Sequence, residues 1–322
     1  MRLIMLGTGP FGVPTLKAVA ASAHEVALVV TRPPRGRQAG ASPLQRAAES
    51  LGIEVWLPES VNRPESQARL ASLAADLLVV CDYGEILKPA TLATTRLGGV
   101  NLHGSLLPKY RGAAPVQWAI LRGETETGNT VIHMTPGLDA GPCLGQQRTP
   151  IDPDEDAAAV ETRLAAMGAE LVLEVIELLA AGTAKPVPQD AAQASKAPRL
   201  TKEHGAIDCS HSAVEIKNLV RAVRPWPRAF TFWHRADAKG AAPQRLNIDR
   251  VGVASGAAAG EAASAAGAKP GTVIVCRQQL IVAAGEDAVE IVNLQPAGKR
   301  SMTAAEFLRG NRVSVGDHFG PE

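Results

Sequence analysis

Through the first 182 residues, short apolar runs alternate with stretches of helical periodicity. RLIML (2–6), HEVALVVT (24–31), IEVWLP (53–58) and DLLVVCDYG (76–84) read as strands, and GGVNLHGSLLP (98–108) reads as strand running into loop. A strand written as a continuous apolar run is buried on both faces, as in a parallel sheet covered by helices. Helical segments lie between these runs: Pro14 to Ala21, SPLQRAAESLG (42–52), ESQARLASLAA (65–75) and APVQWAILRGE (114–124). TGNTVIHMT (127–135) adds a strand, and residues 155–182 read as one long helix with Gly182 as its C-terminal stop. This order predicts an α/β fold built on a doubly wound, mostly parallel, Rossmann-like sheet.

The texture changes near residue 183. TAKPVPQDAAQASKAPRLTKE (183–203) is rich in Pro, Ala and Lys and reads as a linker. A short helix, SAVEIKNLVRAV, follows, and then the strand candidates AFTFWH, QRLNIDRV, GTVIVC, QLIVAAG and AVEIVNLQ. Repeated short strands with Gly-bearing turns predict a smaller C-terminal β-barrel. The expected organisation is 1–184, a basic linker over 185–205, and 206–322. The Ala/Gly-rich segment 251–271 is of low complexity and reads as a surface loop. With only 11 aromatic residues (Trp 4, Tyr 2, Phe 5), both cores must be mainly aliphatic.

The formal net charge of +1 points to no polyanionic partner. Residues 196–250, however, carry 11 basic and 5 acidic side chains, net +6. That excess is either a solvated basic face or a footprint for nucleic acid. Cys81, Cys143, Cys209 and Cys276 form no C-x-x-C, so neither a zinc knuckle nor a disulfide framework is expected, and no metal. No apolar run approaches the ~18 residues of a membrane span. No secretory signal pattern opens the chain. A cytoplasmic protein without a membrane partner, acting as a monomer, is expected.

The first strand runs into GTGPFG, where Gly7, Gly9 and Gly12 have the G-x-G-x-x-G spacing of a dinucleotide turn. Such a turn needs an acidic residue at the end of the second strand to hold the ribose. Thr31 and Arg32 stand there instead. Pro10 also removes an N–H from the loop that would face the pyrophosphate. The spacing therefore reads as a tight strand-to-helix turn, with no NAD(P) expected. An arginine suits a 2′-phosphate, so an NADP-binding oxidoreductase or nucleotide-binding module is the alternative of another class.

The segment NLHGSLLPKYRGAAP (101–115) carries the chemistry. Asn101 and His103 are two apart on one strand and so share a face, at the sheet edge where open α/β folds bind ligands. An amide donor beside an imidazole suits acyl transfer: the amide stabilises a tetrahedral oxyanion and the imidazole moves a proton. Asp139, in the Gly/Pro loop TPGLDAGP (135–142), can orient His103 or accept the amine proton.

With GLDAGP (137–142), this segment resembles the superfamily of formyltransferases that use 10-formyltetrahydrofolate. The resemblance implies that Asn101, His103 and Asp139 are the catalytic residues and that Ser105, Leu106, Leu107 and Pro108 bind the folate co-substrate. GTAKPVPQD, RAVRPWPRA, NLQPAGKRSM and TAAEFLRGNR are similar to the methionyl-tRNA formyltransferase branch. That branch implies formyl transfer to the α-amine of methionyl initiator tRNA. It also implies an OB-type barrel that, with a basic interdomain surface, holds the tRNA, and an aromatic at Phe11 beside the methionine side chain. Two features depart from the branch. The basic loop that meets the tRNA acceptor end is shortened to TRPPRGRQAGASP (31–43), leaving Arg35 and Arg37 as its contacts, and the fourth strand ends with an added charge, Asp82. A formyltransferase acting on an amino-sugar nucleotide is the alternative within the superfamily, since NLHGSLLPKYRG and GETETG suit it equally.

Overall fold

The computed structural model describes residues 1–34, 40–237, 242–254 and 267–322. The chain divides into two compact units. One comprises Met1–Val116, Glu126–Ile151 and Ala159–Arg199, the other Gln117–Thr125, Asp152–Ala158 and Leu200–Glu322.

The main sheet of the first unit contains β1 (Arg2–Gly7), β2 (Glu25–Val30), β3 (Val55–Trp56), β4 (Leu77–Cys81) and β5 (Gly99–His103). After β6 (Arg111–Gly112), which lies outside it, come β7 (Glu126–His133) and β8 (Cys143–Pro150). Their spatial order is β3-β2-β1-β4-β5-β7-β8. The first five are parallel, and β7 pairs antiparallel with both β5 and β8. From β1 the chain winds outward through β2 and β3, then returns to β4 on the other side of β1. The switch point thus lies between the carboxyl ends of β1 and β4, where open α/β sheets form a ligand crevice.

Strand alternation divides the core. Leu3, Met5, Val29 and Val79 pack on one face with Leu16 and Val19 of α1 (Val13–Ala20), Ala47 of α2 (Pro43–Ser50) and Leu171 and Val175 of the long helix Ala157–Ala180. Ile4, Leu6, Leu28 and Val80 pack on the other with Leu70 of α3 (Pro64–Ser72) and Leu92 of α4 (Pro89–Leu92). Each such buried aliphatic side chain stabilises by about 1.5–3 kcal/mol. α5 is Pro115–Leu121, and the long helix, α6, is Ala157–Ala180. β8 lacked an apolar signature because it is an edge strand: Gln146 and Arg148 are exposed, and Gln147 between them is polar.

Residues 185–199, within the expected linker, fold back onto the first unit. Val187 and Cys143 exchange backbone hydrogen bonds at 2.8 Å, and β9 (Lys196–Ala197) pairs in parallel with β6. The boundary between the units falls after Arg199.

In the second unit, α7 (Ala213–Ala222) precedes β10 (Ala229–His234), β11 (Gln244–Val253), β12 (Val273–Cys276), β13 (Leu280–Ala283) and β14 (Ala288–Pro296). β15 (Met302–Thr303), a last helix, α8 (Ala304–Gly310), and β16 (His318–Gly320) complete it. The antiparallel order is β12-β13-β14-β11-β10-β16, with β15 on β14. Hydrogen bonds from Val273 N–H to Asp317 O (2.8 Å) and from Phe319 N–H to Gly271 O (2.7 Å) nearly close it into a barrel. Inside, Trp233 meets Phe307 edge-on, ring centroids 5.6 Å apart. Most of the Ala/Gly-rich segment, 255–266, lies outside the described residues. Among the described residues no helix is long and apolar enough to cross a membrane.

Candidate active site

β5 lies between β4 and β7, with Asn101 level with Val80 and Ile132, and His103 opposite Thr130. Both side chains reach the carboxyl end of the sheet, where the loop after β7 brings Asp139 to them. Asn101 Nδ2 donates to Asp139 Oδ1 at 3.4 Å, and Asp139 Oδ2 lies 3.7 Å from His103 Nδ1. The His103 side chain is 6% exposed and that of Asp139 is 12% exposed. The three expected catalytic residues therefore converge around one carboxylate.

The tautomer of His103 follows from its other nitrogen. Nε2 lies 2.9 Å from the Tyr110 carbonyl oxygen, which can only accept. Nε2 thus carries the hydrogen in the neutral ring, and the lone pair sits on Nδ1, facing Asp139. A proton taken up at Nδ1 is stabilised by the carboxylate beside it.

Asp139 has a left-handed backbone (φ 47°), which costs an aspartate less than most residues. The loop is held from several sides. The Gly112 N–H donates to Asp139 Oδ2 at 2.9 Å. Gln189 Nε2 donates to the carbonyls of Asp139 (2.8 Å) and Gly141 (2.7 Å), while its Oε1 accepts from Arg111 Nη2 (2.7 Å). Gly112 has φ +130°, and a Cβ there would stand 2.4 Å from Ala197 O, so only glycine fits. Ser195 Oγ accepts from the Tyr110 N–H at 2.9 Å. Sequence reading missed Gln189, Tyr110, Gly112 and Ser195 as parts of the site. Gln189 and Ser195 lie in the Pro/Ala/Lys-rich stretch whose composition signals only a linker.

The turn Ser105–Pro108 follows directly. Ser105 is fully buried and its hydroxyl donates to Lys109 O at 2.7 Å. Thr130 Oγ1 donates to Ser105 O (2.7 Å) and accepts from Leu107 N–H (3.1 Å), and Gln146 Nε2 donates to Leu107 O (3.1 Å). Leu107 is buried, whereas Leu106 and Pro108 are partly exposed. Phe11 lies against the start of this turn: a Cβ on Gly104 would be 3.4 Å from its Cζ. Arg35 and Arg37 lie outside the described residues.

The G-x-G-x-x-G glycines serve packing against β4. A Cβ on Gly9 would lie 2.2 Å from Asp82 Oδ2, so the carboxylate of Asp82 covers the backbone that a pyrophosphate would need to approach. Asp82 itself ends β4 in a left-handed conformation (φ 50°), and its carbonyl accepts from Thr8 N–H at 3.0 Å. Crowding by the surrounding chain raises its carboxyl above the usual 3.8, with the Arg199 guanidinium opposing the shift. At the end of β2, Thr31 is buried on Ser42 (3.0 Å), and Arg32 donates to Gly84 O (2.7 Å). Burial pushes the Cys81 thiol up to about 12, so it is no nucleophile. Among the described residues, no three His, Cys, Asp or Glu side chains are placed to hold a metal.

Comparison with known proteins gives a consistent result. A family model described as formyl transferase matches residues 1–176, and one described as formyl transferase, C-terminal domain, matches 199–312. The chain is 44% identical to the methionyl-tRNA formyltransferase of Rhodopirellula baltica, over 99% of this chain and 96% of the relative. It is 42% identical to that of Solibacter usitatus, over 99% of each. Among solved structures, the N-formyltransferase from Helicobacter canadensis in complex with folinic acid and dTDP-3-aminofucose shares the fold. Its TM-score is 0.67 at 17% identity, covering 92% of this chain and 99% of that one.

Proposed function

The chain belongs to the formyl transferase family, and we propose that it transfers a formyl group from 10-formyltetrahydrofolate to the α-amine of methionyl initiator tRNA, acting as a cytoplasmic monomer. The observation that carries the reading is the carboxylate of Asp139 reaching both Asn101 and His103. Relatives of that name aligned over 99% of the chain support the choice of acceptor.

The attacking amine must be neutral. His103 Nδ1 takes its proton, and Asp139 stabilises the resulting imidazolium. Asn101 Nδ2 has a second hydrogen beyond the long bond to Asp139, and this hydrogen meets the oxyanion that forms on the formyl carbon. The proton then leaves through His103 to the departing folate nitrogen. The turn Ser105–Leu106–Leu107–Pro108 receives the folate through its shape and through the partly exposed Leu106 and Pro108, since the Ser105 hydroxyl and Leu107 are spent holding the turn. Phe11 offers an apolar ring to the methionine thioether.

The test is formyl transfer to charged initiator tRNA, charged elongator methionyl-tRNA and an amino-sugar nucleotide. Transfer to the sugar nucleotide alone would overturn the proposal.

A further inference from the structure

Ser195 stands one residue before β9 and is half-buried. The β9 ladder makes no demand on a side chain, because Lys196 and Ala197 pair with β6 through the backbone. Ser195 is different: its N–H, hydroxyl and carbonyl all meet the stretch between the Ser105–Pro108 turn and β6. Its N–H donates to Pro108 O at 3.4 Å, its Oγ accepts from the Tyr110 N–H at 2.9 Å, and its carbonyl accepts from the Arg111 N–H at 2.8 Å.

Tyr110 is buried and left-handed (φ 64°), a conformation that bulky residues avoid. There it presents two successive N–H groups, its own and that of Arg111, to Ser195. In a planar trans peptide the carbonyl and the following N–H point in opposite directions. The Tyr110–Arg111 peptide therefore bridges two partners, with its N–H on Ser195 O and its carbonyl 2.9 Å from His103 Nε2. Relaxation of Tyr110 to the right-handed region swings that carbonyl off the ring.

The carbonyl decides which nitrogen of His103 is basic. Without it the ring hydrogen moves to Nδ1, which lies 3.7 Å from Asp139 Oδ2 and would donate to that carboxylate. The lone pair would then sit on Nε2, and Nδ1 could not take a proton from an amine.

Resting on the proposed role of His103, we infer that Ser195 is a positioning residue for the formyl transfer. Its hydroxyl holds Tyr110 left-handed, and so keeps the Tyr110 carbonyl on Nε2 and the His103 lone pair on Nδ1. The requirement at this position is for a hydroxyl acceptor, which the linker-like composition of the segment conceals.

The test compares the unsubstituted protein with Ser195→Ala, Ser195→Thr and Ser195→Val. Threonine and valine have nearly the same shape and differ in the hydroxyl, so this pair decides the matter even if Ser195→Ala fails to fold. The ¹⁵N shifts of the neutral His103 ring are read without substrate, and kcat and the KM for 10-formyltetrahydrofolate with charged initiator tRNA. Ser195→Thr keeps the Nε2–H tautomer and the turnover. Ser195→Val and Ser195→Ala shift the ring toward Nδ1–H and lower kcat roughly tenfold, the usual cost of taking away one partner of a buried hydrogen bond, with KM for the folate little changed. An unchanged tautomer in Ser195→Val would overturn the inference, whatever happens to kcat, because a merely structural role weakens the fold without moving the ring hydrogen. Equal behaviour of the threonine and valine variants would overturn it as well. Normal turnover in His103→Ala would overturn the proposed mechanism instead. The tautomer measurement needs no acceptor and reads the Ser195 contact independently of the reaction.

Discussion

His103 and Asp139 face each other through Nδ1 and Oδ2 across 3.7 Å, while His103 Nε2 is committed to the Tyr110 carbonyl at 2.9 Å. The basic nitrogen is therefore Nδ1. In ¹⁵N NMR the neutral ring should show the Nε2–H tautomer. His103→Ala should lower kcat by about 10²–10⁴, and Asn101→Ala by about 10²–10³, with saturating folate and tRNA. Near-normal turnover in both variants would remove these residues from the mechanism.

Gln189 ties the loop that carries Asp139 to Arg111. Its amide donates to two loop carbonyls and accepts from Arg111. Gln189→Ala leaves these partly buried groups unpaired and should cost about 1–3 kcal/mol of stability. Gln189→Glu keeps an acceptor for Arg111 but turns an oxygen toward the carbonyls. It should lower kcat with little change in KM for the folate. Turnover equal to the unsubstituted protein in Gln189→Glu would show that donation to the loop does not hold Asp139 in place.

Gly9 and Asp82 compete for one space. Gly9→Ala places a methyl on Asp82 Oδ2 and should destabilise by about 1–3 kcal/mol in urea unfolding. Adding Asp82→Ala should recover most of that loss, a coupling larger than about 0.5 kcal/mol. Independent, additive effects would contradict the contact.

For the same reason, equilibrium dialysis with NADPH should detect no binding to the unsubstituted protein. Tight binding would restore the nucleotide reading of GTGPFG.

The raised carboxyl of Asp82 has a defined effect on stability. The native state holds this proton more tightly than the unfolded chain, whose value is 3.8. Its contribution is most favourable below pH 3.8 and is lost as pH rises through the higher native value. Asp82→Asn should therefore raise Tm at neutral pH, and the gain should shrink toward zero as pH falls below that of an ordinary aspartate. A gain that persists or grows in acid would contradict the sign.

The sequence by itself determined the elements whose side chains follow a period. Continuous apolar runs marked β1, β2 and β4, because a strand buried on both faces has no polar side to write. Asn101 and His103 were legible because two residues on one strand share a face whatever the rest of the chain does. The edge strand β8 and the three-residue β16 left no such pattern.

Tertiary structure alone decided how these parts meet. Local periodicity carries no information on which distant loop supplies Gln189 to the carbonyl of Asp139, or that residues 185–199 fold back as a strap. It is equally silent on the carboxylate of Asp82 filling the space over Gly9. These contacts join remote segments of the chain and are fixed by sheet order and by backbone hydrogen bonding between them. The spacing of GTGPFG is local and ambiguous for that reason: the chain writes a turn, and the neighbouring strand decides what the turn can hold.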